Sequence, residues 1–133
     1  MKLEFLDDLT EGGEFTDIPC EQLVRLYDFD RTEVVRLRDL IRKEIIENKQ
    51  SVQLSELEFI ESVNCTVTLN LNEEDLGMET VDNTHFECGL TLASYHKILY
   101  LLEAFCGKKC SGFQWLYEAD NPVEFLFSQN GDW

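Results

Sequence analysis

Basic residues are scarce in this sequence, and those present are gathered in one place. Eleven Lys and Arg stand against 27 Asp and Glu, for a formal net charge of −16. Seven of the eleven, including all five arginines, lie between Arg25 and Lys49. Residues 1–24 therefore carry −6, residues 25–49 carry +1 and residues 50–133 carry −11. A near-neutral middle flanked by strongly negative segments is repelled by phosphates at long range, which argues against direct nucleic-acid binding. Long apolar runs are absent as well. None approaches the roughly 20 residues needed to cross a bilayer, so no membrane span is expected. The opening Met-Lys-Leu-Glu-Phe-Leu-Asp-Asp turns acidic too soon for a secretory signal, and the expected location is cytoplasmic. Catalytic signatures are few: there is no Gly-x-Ser-x-Gly and no Gly-rich phosphate loop, and His85 and His96 are the sole histidines.

What is present is ordinary globular material. A chain of 133 residues with 44% apolar and 29% charged residues can bury a real core, and one domain over residues 1–133 is expected. Five cysteines, at positions 20, 65, 88, 106 and 110, cannot all pair within the chain, so reduced thiols are expected. Cys65 shares strand parity with Val63, Val67 and Leu69, and Cys88 with Phe86 and Leu90, which marks both as small core residues.

Asp30 followed by Glu33 has the form of a capping box, and Val34, Leu37, Ile41 and Ile45 then follow helical spacing, so a helix is expected over 31–48. Thr91 opens a second helix carrying Leu92, Tyr95, Ile98, Leu99, Leu102 and Phe105, with Gly107 placed to stop it. Elsewhere the period changes to two, most clearly where Cys65, Val67, Leu69 and Leu71 alternate with Thr66, Thr68, Asn70 and Asn72. Further strands are expected over 2–6, 23–29, 57–60 and 85–90, and a hairpin pairs Phe113, Trp115 and Tyr117 with Val123, Phe125 and Phe127 across the turn Asp120-Asn121-Pro122. The expected class is α+β: a mostly antiparallel sheet of about five to seven strands with two helices packed on one face.

The candidate sites are four. His85 and Cys88, with Cys106 and Cys110, have the residue types of a zinc site, although positions three apart on a regular strand face opposite ways. Asn70, Asn72, Glu73, Glu74 and Asp75 gather like calcium ligands but lack the Gly at the sixth loop position and the closing Glu at the twelfth. Arg31, Arg38, Arg42 and Lys49 form a row on the first helix, with Arg38 and Arg42 as like charges at i, i+4. Such a row needs negative charge nearby, from this chain's own acids or from a partner; Arg38 and Arg42 are the candidate binding residues. Trp115 and Tyr117 of the hairpin are the others. If one face of each arm alone is buried, Leu116 or Leu126, with Trp133, stays exposed and offers an interface, including one for a homodimer; the alternative is a central strand covered on both sides, which makes the arms part of a two-sided core.

The expected function is that of a non-catalytic protein-binding module, inhibitor-, immunity- or adaptor-like, recognising a basic partner and holding no cofactor. The alternative is a small-ligand protein or enzyme with a pocket between sheet and helices, where Asp82, His85, Glu87 and Tyr95 meet. A zinc-stabilised module is the third reading.

Overall fold

The computed structural model describes residues 1–7, 22–107, 111–117 and 123–131. Among these the chain forms nine strands in two mixed sheets, with two helices packed against the sheets, an α+β architecture. The strands are β1 (Lys2–Leu6), β2 (Gln22–Tyr27), β3 (Val52–Gln53), β4 (Glu61–Ser62), β5 (Thr66–Leu71), β6 (Gly77–Thr80), β7 (His85–Leu90), β8 (Phe113–Trp115) and β9 (Val123–Ser128). Sheet A runs in the order β4-β1-β2-β9-β8 and sheet B in the order β3-β5-β7-β6. Four pairings are antiparallel, while β1 with β4, β2 with β9 and β5 with β7 are parallel.

Helix α1 (Arg31–Leu40) starts where the capping box places it. The Asp30 carboxylate accepts from the Glu33 N–H at 2.9 Å, and Glu33 accepts from the Asp30 N–H at 3.1 Å. The helix continues as a π-helical segment (Ile41–Glu47) that closes with the Asn48 N–H donating to the Lys43 carbonyl. Helix α2 (Leu92–Glu103) is capped by Thr91, whose hydroxyl accepts from the Ser94 N–H. Val34, Leu37, Ile41 and Ile45 face Tyr95, Ile98 and Leu102 and the inner sides of both sheets in one core. That core is tightly filled. The void bounded by Leu26, Leu37, Ile41, Leu69, Ile98 and Phe125 measures about 10 Å³, room for a single water and no more.

Residues 57–60, expected as a strand, are turns. A 3-10 turn (Leu54–Glu56) leads into two i, i+3 hydrogen bonds, Leu57 N–H to Leu54 C=O and Ile60 N–H to Leu57 C=O. The period is three, which buries Leu54 and Ile60 and exposes Glu56 and Glu58. Strand β6 was not expected from the sequence, because Gly77 and Glu79 break the apolar alternation that marks a strand. Gly77 holds φ at +71°, and a Cβ there would lie 2.9 Å from the Tyr117 ring, so only glycine fits.

The hairpin has two covered sides. Leu116, Phe125 and Phe127 join the main core, while Leu126 is buried with Leu23 in a second cluster flanked by Leu6 and Trp115. Both Leu116 and Leu126 are buried, as a two-sided core requires; Phe113, at 47% exposure, is the solvent-facing residue of β8. No helix among the described residues is long and apolar enough to cross a membrane. The loop Glu11–Glu14, Cys20, Cys110, the turn 120–122 and Trp133 lie outside the described residues.

Candidate functional site

The open face of sheet B carries a continuous run of polar side chains. Alternation along β5 and β7 sends Val67, Leu69, Phe86 and Cys88 inward and turns Thr66, Thr68, Asn70, His85 and Glu87 outward. Parallel pairing sets Thr66 beside His85, and the Thr66 hydroxyl lies 2.6 Å from His85 Nδ1. His85 Nε2 lies 3.1 Å from Glu87 Oε1. Glu87 Oε2 accepts from Asn70 Nδ2 at 2.5 Å, and the Asn70 side-chain oxygen accepts from the Ser51 hydroxyl at 2.6 Å.

The donors in this chain follow from elementary chemistry. An ionised carboxylate only accepts, so Nε2 of His85 carries the proton facing Glu87; in the neutral ring Nδ1 is then the acceptor for the Thr66 hydroxyl. The hydrogen bond from His85 holds the Glu87 carboxyl below its ordinary range against the opposing effect of burial, with a lesser contribution from Asn70. The His85 and Glu87 side chains remain 42% and 51% exposed, so solutes reach them. Glu79 stands directly across from Glu87 on β6, also outward.

Of the four residues expected to meet in a pocket between sheet and helices, His85 and Glu87 touch each other, but on the outward face of sheet B, away from the helices. Asp82 instead accepts from the Thr84 and His85 backbone N–H groups at 3.0 and 3.1 Å, which lowers its pKa and fixes the turn leading into β7. Tyr95 is on the core side, its hydroxyl donating to the Asn70 and Cys88 carbonyls.

The four zinc-type residues are dispersed as far as they are described. His85 faces out of β7 and Cys88 faces in, fully buried, with desolvation pushing its thiol up to about 12. Cys106 follows α2, donating to the Leu102 carbonyl beside Arg38, and Cys110 is outside the described residues. Among the described residues no three His, Cys, Asp or Glu side chains converge as metal ligands. In the acidic loop, Asp75 accepts from the Thr91 N–H at 2.8 Å and tethers the start of α2, which lowers its pKa. Ser94 and Lys97 have Ser-x-x-Lys spacing at the start of α2, but the Ser94 hydroxyl bonds Asp75 and Lys97 is exposed.

The arginines meet this chain's own acids. Arg38 donates to Asp39 at 3.1 Å, and Arg42 reaches Asp39 at 3.7 Å and Glu103 at 3.8 Å. Arg36 pairs with Glu58 at 2.6 Å and lies over the Phe59 ring. Arg25 bonds Glu4 and the Gly131 carbonyl and stacks on Tyr27. Arg31 alone among the five has no ion pair with the described residues. Trp115 is half-buried, and Tyr117 is buried, its hydroxyl donating to the Val123 carbonyl and accepting from the Met78 N–H.

What the sequence does not disclose is the Thr66, His85, Glu87 and Asn70 grouping, since it depends on the register of two strands joined through β6. The sequence matches no family model and no curated protein.

Proposed function

We propose that the chain is a cytoplasmic protein-binding module, inhibitor-, immunity- or adaptor-like, whose partner is basic. The observation that carries this is the disposition of charge: four of the five arginines are taken up by internal acids. Glu47, Glu56, Glu61, Glu73, Glu74 and Glu79 meanwhile stand exposed without an ion pair among the described residues. Internal pairing of Arg38 and Arg42 relieves the like-charge crowding at the centre of the row, and the unpaired acids leave a negative surface that attracts cationic surfaces and accelerates their encounter. The free thiols of Cys65, Cys88 and Cys106 fit a reducing compartment.

Native mass spectrometry of the protein purified from its own host, followed by titration of the co-purified chain, tests this. A basic partner is expected, bound at least about tenfold more weakly at 300 mM than at 50 mM salt. A neutral or acidic partner, or an affinity indifferent to salt, overturns it.

A further inference from the structure

We propose that Thr66 is a nucleophile, activated by His85 and oriented through Glu87, and that the open face of sheet B cleaves small neutral or cationic carboxylic esters. This goes beyond partner binding and does not depend on it. The grouping contains a hydroxyl hydrogen-bonded to a base at 2.6 Å and that base hydrogen-bonded to a carboxylate at 3.1 Å, which is the arrangement that activates a hydroxyl for covalent catalysis. The tautomer is the productive one, because Glu87 takes the Nε2 proton and leaves Nδ1 to accept from Thr66.

The supporting bonds set the geometry from both sides. Asn70, itself held by the Ser51 hydroxyl, anchors the second oxygen of Glu87, and Asp82 clamps the His85 backbone. A polar network of this depth on a solvent-facing sheet exceeds what a strand pair needs, since the β5–β7 ladder is already paired over six positions. Beside the Thr66 hydroxyl lies an open depression bordered by Ser62, Asn64, Cys65, Thr84 and His85. Its openness suits a small acyl group. The nearby carboxylates Glu79, Asp82 and Glu87 disfavour an anionic substrate, which sets the ester class.

In the first half-reaction Thr66 Oγ1 adds to the ester carbonyl carbon while its proton passes to His85 Nδ1. The tetrahedral species collapses, the bond to the alcohol oxygen breaks, and Nδ1 returns the proton to the departing alcohol. Water then adds to the acyl-Thr66 carbonyl with His85 again taking and returning one proton, which releases the acid and restores the hydroxyl. Glu87 keeps its charge throughout and stabilises the imidazolium, so it is a positioning residue.

The test is hydrolysis of 4-nitrophenyl acetate by the full chain, with acid-quenched mass spectrometry to find the acetyl group. Thr66→Val preserves the side-chain shape and β-branching, and circular dichroism checks its fold. Expected are acetylation of Thr66 in the parent, a fall in kcat/KM of about 10²–10³-fold in Thr66→Val and in His85→Gln, and retention of activity within about tenfold in Thr66→Ser. Glu87→Gln should lower kcat and shift the pH–rate profile. Parent turnover no faster than buffer, equal rates in parent and folded Thr66→Val, or acetyl found on lysine or cysteine alone would each overturn the proposal. If Thr66→Val does not fold, His85→Gln and the site of acetylation decide.

Discussion

Tyr117 and Cys88 show how much single side chains hold in place. The Tyr117 hydroxyl serves the Met78 N–H of sheet B and the Val123 carbonyl of sheet A at once. Tyr117→Phe keeps the ring and deletes that double service, so a loss of about 1–3 kcal/mol is expected from urea unfolding. Cys88 gives a pH signature. Its ordinary value of 9.0 is raised to about 12 by desolvation, so its contribution is complete below about pH 9, where both folded and unfolded thiols are protonated. Above that the unfolded thiol ionises and the folded one does not, and stability should fall by about 1.4 kcal/mol per pH unit until the folded thiol also titrates. Urea midpoints at pH 8 and pH 10.5, compared with those of Cys88→Ala, measure it; equal pH slopes in the two proteins would contradict it. The parity of Cys88 was legible in the sequence, since it alternates with Phe86 and Leu90 in a run that could only be half-exposed. Of the two partners of Tyr117, Val123 stands in the hairpin arm the sequence sets opposite it, whereas Met78 was hidden, because it lies in a strand that Gly77 and Glu79 conceal.

At the level of elements, local signals were readable and register was not. The Asp30 and Glu33 box, the Thr91 cap and the apolar spacing of both helices act within a few residues, and the structure has them where the sequence puts them. The box predicts that Asp30→Ala costs about 1 kcal/mol, visible as a lower thermal midpoint, with Asp30→Ser recovering most of it. Strands are different. The parallel partnership of β5 with β7 depends on β6 turning back on the far side of β7, a decision made by packing across the core. Thr66 and His85 are 19 residues apart and come together only through that partnership. Their chemistry was thus hidden, while His85 and Glu87, two apart on one strand, were visible as neighbours. The arginine row was half legible: its crowding of like charges called for acids, and Asp39 and Glu103 supply them.

Across the whole molecule, the excess of negative charge governs behaviour. With −16 spread over 133 residues, self-repulsion opposes compaction at low ionic strength. The thermal midpoint should therefore rise by about 3–5 °C between 20 and 300 mM NaCl, as screening removes on the order of 1 kcal/mol of repulsion. A midpoint that falls with salt would mean that the internal arginine pairs outweigh the excess of acid.

The placement of β9 has a consequence for how the chain acquires its shape. In sheet A, β2 is seated between β1 and β9, so residues 22–27 complete their ladder only with residues 123–128. A ribosome delivering the chain from its amino end must release it through residue 128 before that sheet can close. Until then one edge of β2 is bare, and Val24 and Leu26 lack Phe125 and Phe127 alongside. Assembly dominated by such distant pairings belongs to the millisecond-to-second regime of folding, with an unpaired strand edge exposed throughout the wait.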